Sequence, residues 1–150
     1  MAGMGWSDPT AVVRLRSGLA VRGRRLSQPG SPADFSLLLC GGPMPGFGWS
    51  SRRVPAPGWP CRRVRWPDFG LPSDRADALA ALHDALARAR AGSRVEIACR
   101  GGIGRTGTAL AALAILDGDS PAEALRRVRD GYHPRAVETP WQHHWLRTVS

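Results

Sequence analysis

The chain has 150 residues, a formal charge of +9 and no lysine, so every strongly basic side chain is an arginine. That length suits one compact domain with one hydrophobic core, and no stretch approaches the run of about 20 apolar residues that a membrane-spanning helix needs. Three irregularly spaced cysteines exclude a disulfide framework and point to a reducing cytoplasm. Residues Met1–Trp6 carry neither the basic start nor the apolar core of a secretory signal.

The arginines cluster at Arg22/Arg24/Arg25, Arg52/Arg53, Arg62/Arg63/Arg65 and Arg126/Arg127/Arg129. In a composition rich in Ala, Gly and Pro these read as solvated faces. No helix-turn-helix, zinc-finger or RNA-binding pattern accompanies them, so no specific nucleic-acid partner is expected. The net charge still concentrates acidic or phosphorylated molecules near the protein.

In chain order, Val12–Leu15 and Leu19–Arg22 flank Arg16-Ser17-Gly18 as the arms of a hairpin. Residues 26–33 form a loop, and Phe35–Cys40 reads as a buried strand. The Gly/Pro/Trp-rich stretch 41–60 is long for a connection, with room for a short strand around Arg52–Val54. Arg62–Trp66 is a strand stopped by Pro67, and a helix follows over Asp74–Ala91, with Leu79, Leu82 and Leu86 on one face and Gly92 as its stop. Val95–Ala98 is a strand interrupted by Glu96, and Ala109–Leu116 is a helix that ends at Gly118. Ser120-Pro121-Ala122-Glu123 and Thr139-Pro140-Trp141-Gln142 are capping boxes that open two further helices. Strands dominate the first half and helices the second, which predicts an α/β fold: a small mixed β-sheet flanked by helices.

Between the strand at Val95 and the helix at Ala109 lies Cys99-Arg100-Gly101-Gly102-Ile103-Gly104-Arg105-Thr106-Gly107. A glycine-rich turn leading into a helix N-terminus gathers backbone N–H groups and the positive end of the helix dipole around one point, which suits an anion. Gly102-x-Gly104-x-x-Gly107 also fits the dinucleotide-binding fingerprint, with Asp119 or Glu123 as its acid, but too little chain follows to complete a doubly wound sheet. The Walker loop needs a lysine that the chain lacks. A third reading uses Cys99 and Arg105. The glycines at 101, 102 and 104 let N–H groups point at a phosphate, Arg105 offers a planar fork to two oxygens, and Thr106 places a hydroxyl near the sulfur. The field that binds phosphate also favours thiolate over thiol. Upstream, Trp66-Pro67-Asp68-Phe69-Gly70-Leu71-Pro72 sets an acid on a turn, with Trp66 and Gly70 as its pivots.

Together the two motifs resemble those of the cysteine-dependent protein tyrosine phosphatase superfamily, including its dual-specificity members. Trp66-Pro67-Asp68 resembles the mobile general-acid loop, and Cys99 to Gly107 resembles the phosphate-binding signature. Val137-Glu138-Thr139-Pro140-Trp141-Gln142 is similar to the loop that positions hydrolytic water. The resemblance implies a Cys-x5-Arg loop between strand and helix, with Cys99 as nucleophile, Asp68 as general acid, Arg105 as phosphate clamp and Thr106 assisting departure of the thiolate. It implies phosphate binding by Arg100, Gly101, Gly102, Ile103, Gly104 and Arg105, and water positioning by Gln142 or Glu138. It implies no metal and no cofactor, a phosphorylated protein or small phosphomonoester as substrate, and no membrane partner.

The chain departs from the pattern at Ala98, where histidine is usual, which predicts slower turnover and a more alkaline optimum. Glu138 stands where a glutamine is usual. A catalytically slow phosphate-binding module is the alternative reading, while sulfur transfer by the loop cysteine leaves Trp66-Pro67-Asp68 unexplained. Trp49, Trp59 and Phe69 are candidates to grip a substrate ring, Tyr132 and His133 to line the pocket, and Cys40 or Cys61 to pair with Cys99 on oxidation.

Overall fold

The computed structural model describes residues 5–41 and 57–149. The expected strand around Arg52–Val54, the Arg52/Arg53 cluster and Trp49 lie outside the described residues. Five strands, β1 (Val12–Arg14), β2 (Ala20–Arg25), β3 (Phe35–Cys40), β4 (Cys61–Arg65) and β5 (Val95–Cys99), form one sheet in the order β1-β2-β5-β3-β4. Only β1 runs antiparallel to its neighbour, so the sheet is mixed, as the sequence predicts. The central strand β5 comes last in the chain. It pairs Cys99 with Arg25 of β2 on one side and with Leu39 of β3 on the other.

Four helices follow the predicted positions: α1 (Arg75–Arg90), α2 (Gly104–Leu116), α3 (Pro121–Gly131) and α4 (Pro140–Leu146). In α1 the buried stripe is Ala78, Ala81, Leu82, Ala85, Leu86 and Ala89, at helical spacing, with the expected face residue Leu79 only partly buried at its margin. Asp74 caps this helix by accepting the Asp77 N–H at 3.1 Å. Both predicted capping boxes are present, at Ser120/Glu123 and Thr139/Gln142.

Helix α2 starts five residues before the predicted Ala109, inside the glycine motif. Among its first residues Gly104, Thr106, Gly107 and Thr108 have weak helix propensity, and tertiary packing overrides it. Every residue from Gly104 to Ile115 is buried, as befits a helix enclosed by α1, α3, α4 and the sheet. Small residues allow that enclosure. A Cβ on Gly107 would lie 2.6 Å from the Ala136 Cβ and 2.9 Å from its Cα.

The helices pack on the face of the sheet that carries Val21, Leu37, Leu39, Val95 and Ile97. Alternation turns Arg22, Arg24, Ser36 and Glu96 to the other face. There Glu96, fully buried, accepts from Arg22 Nη2 at 2.7 Å, Arg24 Nε at 2.5 Å and Ser36 Oγ at 2.6 Å, while Trp59 donates to Ser36 Oγ at 2.7 Å. Burial alone pushes the Glu96 carboxyl up. The hydrogen bonds from Arg24 and Ser36 and the charges of Arg22 and Arg24 outweigh it and hold the group below the usual carboxylate range.

The expected solvated arginine face at Arg22/Arg24 is therefore corrected: these guanidiniums of β2 neutralise a buried acid on the adjacent β5. Arg127 likewise binds the buried Asp119 at 2.6 Å, and Arg129 holds the carbonyls of Ala136 and Val137 at 3.0 and 3.2 Å.

Candidate active site

Cys99 ends β5, residues 100–103 turn, and α2 begins at Gly104. Three helices have side-chain caps, from Asp74, Ser120 and Thr139, whereas α2 has no side-chain cap and no acid in its first turn. That end therefore carries the positive end of the dipole without a side-chain acceptor to offset it. Inside the turn the Gly102 N–H points at Cys99 Sγ at 3.0 Å, and Cys99 is buried. Gly102 takes a φ of +68°, open to glycine at little cost.

Arg105 leaves the first turn of α2 and is only 4% exposed. Its Nη1 donates to the carbonyls of Trp66, at 2.9 Å, and Leu39, at 3.4 Å. Its Nε has no hydrogen-bond partner, and Asp68 Oδ1 lies 3.6 Å from it. Thr106 Oγ1 is also buried and without a partner among the described residues. Buried polar groups without hydrogen bonds are costly to a fold.

Asp68 sits on the Trp66–Gly70 turn with its side chain 62% exposed and accepts the Phe69 N–H at 3.0 Å. Trp66, one of the two expected pivots, has an anchored side chain. It is fully buried, meets Trp145 edge-on at 5.4 Å and donates its indole N–H to Gly70 O at 2.8 Å. From α4, Gln142 Nε2 donates to the same Gly70 oxygen at 3.2 Å. The acid turn is thus tied down over Arg105 at several points.

The structure places Cys99 at the end of β5, Arg105 and Thr106 in the first turn of α2, and Asp68 3.6 Å from Arg105 Nε. Gln142 is committed elsewhere: fully buried, its Oε1 accepts from Glu138 and Thr139 N–H at 3.0 and 3.2 Å. The Glu138 carboxylate lies over Gly104, where it would meet any Cβ. Phe69 is exposed at 56%, whereas Trp59 is used on Ser36. Cys40, Cys61 and Cys99 are free thiols, and burial pushes that of Cys40 up. Tyr132, grouped in the sequence with generic pocket candidates, donates its hydroxyl to Gly102 O. Nothing in its sequence surroundings signals that contact. Among the described residues no group of His, Cys, Asp or Glu is placed to hold a metal ion, and no helix is long and apolar enough to cross a membrane.

A buried thiol at the end of β5, a buried arginine in the first turn of α2 and an acid on a neighbouring turn make up the candidate site. The protein-tyrosine phosphatase family model matches residues 60–129. The crystal structure of Tk-PTP in its active form superposes with a TM-score of 0.62 at 31% identity, covering 78% of each chain. Human DUSP28 (TM-score 0.65, 20% identity, 95% and 94% covered) and a mouse putative dual specificity phosphatase complexed with zinc tungstate (0.64, 18%, 99% and 91%) share the fold. No curated protein sequence matches the chain significantly. The chain belongs to the cysteine-dependent protein tyrosine phosphatase superfamily, and its mixed sheet with four helices is that superfamily's fold.

Proposed function

We propose that this chain hydrolyses phosphoric monoesters, phosphotyrosine in proteins first among them, through a phosphocysteine formed on Cys99. The observation that carries the reading is Arg105: a buried guanidinium, braced on two backbone carbonyls, whose Nε makes no hydrogen bond and faces Asp68 at 3.6 Å.

In this mechanism the Cys99 thiolate attacks phosphorus, and the bond from phosphorus to the ester oxygen breaks as Asp68 gives that oxygen its proton. Arg105 and the N–H groups of residues 100–105 hold the non-bridging oxygens, where preorganised donors do most of the work in phosphoryl transfer. Water then attacks the phosphocysteine and passes a proton to the Asp68 carboxylate, and the sulfur leaves as thiolate beside the Thr106 hydroxyl. Of the two candidates for placing that water, Glu138 is favoured by position, since both amide atoms of Gln142 are hydrogen-bonded elsewhere. We read residues 1–150 as one catalytic domain. Its irregular cysteine set suits the cytoplasm, and its substrate is a phosphorylated protein or a small phosphomonoester rather than a nucleic acid or a membrane.

The second reading, a slow or inactive phosphopeptide-binding module, is motivated by Ala98. Hydrolysis of a phosphotyrosine analogue by wild type, Cys99→Ser and Asp68→Ala decides between them. The enzyme reading requires turnover by wild type, loss in Cys99→Ser, and a drop in Asp68→Ala that grows as the leaving group worsens. Phosphopeptide binding without turnover by wild type selects the module.

A further inference from the structure

The loop that carries Cys99 is gripped from outside at three carbonyls. Leu26 N–H donates to Cys99 O at 3.0 Å, Arg25 Nε to Gly101 O at 3.0 Å, and the Tyr132 hydroxyl to Gly102 O. A peptide unit is planar and trans, so its C=O and the N–H of the following residue point in opposite directions. Drawing the carbonyls of residues 99, 101 and 102 outward therefore turns the N–H groups of Arg100, Gly102 and Ile103 inward. One of these is seen doing so, the Gly102 N–H on Cys99 Sγ at 3.0 Å.

Both side-chain donors are themselves well placed. The Tyr132 ring seats on Gly23, where an added Cβ would collide with it. Burial, then the neighbouring Cys99, push its phenol well above the ordinary range, so it stays a donor at any physiological pH. Arg25 forms the wall behind Gly102, with its Cβ and Cα 2.8 and 2.9 Å from where a Gly102 Cβ would stand. Ala98, just before the nucleophile, offers the loop no polar side chain.

We propose that Tyr132 and Arg25 are positioning residues that aim the loop amides at the bound oxyanion, Tyr132 from the segment between α3 and α4 and Arg25 from the end of β2. The catalytic consequence rests on the phosphatase reading above; the effect on oxyanion binding does not.

The test measures tungstate affinity by calorimetry, and hydrolysis of a phosphotyrosine analogue across pH, for wild type, Tyr132→Phe, Arg25→Met and the double variant. Tyr132→Phe keeps the ring and the net charge and removes only the hydroxyl. One lost hydrogen bond corresponds to a tungstate affinity lowered roughly five- to tenfold, with a similar fall in kcat/KM and its ascending limb moved to higher pH. Arg25→Met gives a loss of the same order, and the double variant loses more than either. Unchanged tungstate affinity in folded Tyr132→Phe overturns the proposal. Should that variant fail to fold, Arg25→Met decides, because it alters an exposed side chain. Wild type that binds tungstate but hydrolyses nothing sinks the phosphatase reading, while the affinities still judge the positioning roles. Wild type that fails to bind tungstate overturns both.

Discussion

Trp141 donates its indole N–H to the carbonyl oxygen of Phe69 at 2.6 Å, which ties helix α4 to the turn that carries Asp68. The donor's residue is half exposed and the acceptor follows Asp68 directly, so the bond steadies the turn of the proposed general acid at little cost to the core. Trp141→Phe should leave thermal stability nearly unchanged and lower kcat roughly three- to tenfold, the worth of one hydrogen bond. The loss should be larger for an alkyl phosphate than for a nitrophenyl ester, since only the poor leaving group needs its proton. An equal loss on both substrates counts against the tie acting through Asp68.

Gln142 caps α4 and holds Gly70, with both amide atoms engaged. Gln142→Leu should cost about 1–3 kcal/mol in urea unfolding, because it strands buried partners. Rapid-mixing kinetics should show no enlarged burst of product, since both amide atoms are already hydrogen-bonded within the protein. Glu138→Ala is the contrasting case. It should enlarge the burst while leaving stability within about 0.5 kcal/mol, as expected of an exposed residue. The reverse pattern assigns the water to Gln142.

Arg105→Lys retains the charge but cannot brace on two carbonyls and also present a planar fork to phosphate. We expect kcat/KM to fall by about 100-fold or more, measured on the same analogue. Activity within a few fold of wild type removes Arg105 from the clamp role.

Glu96 makes stability depend on pH. Its carboxyl is held below the usual range in the fold, so its contribution is fully present above the unfolded value of about 4.3. That contribution is lost as pH falls through the lower folded value. Glu96→Gln should lose about 3–5 kcal/mol at pH 7, having stripped Arg22 and Arg24 of their counter-charge. The gap between variant and wild type should narrow on acidification. A gap constant from pH 7 to pH 3 shows that the carboxylate is not the operative species.

What the sequence revealed and what it hid divide along one physical line. Cys99 to Gly107 and Trp66 to Pro72 are contiguous motifs, and capping boxes such as Ser120/Glu123 are local by construction, so each was readable without knowing the fold. The Glu96 cluster draws Arg22, Arg24 and Ser36 from two other strands, and strand order is invisible until the sheet is built. Composition therefore made those arginines look like surface. Tyr132 reaches Gly102 for the same reason unseen. The late start assigned to α2 has a different cause: Gly104, Thr106, Gly107 and Thr108 are poor helix formers held helical by complete burial.

The placement of β5 has a consequence for synthesis of the chain. Until residue 95 has been made, β2 and β3 face an empty slot between them, because the strand that fills it comes last. The nascent chain thus lacks the strand that closes both sheet edges, a hazard for pairing with other chains, and Cys99 arrives on that strand. A fragment ending before β5 carries Asp68 but neither Cys99 nor Arg105, so on the phosphatase reading it has no partial activity to lose.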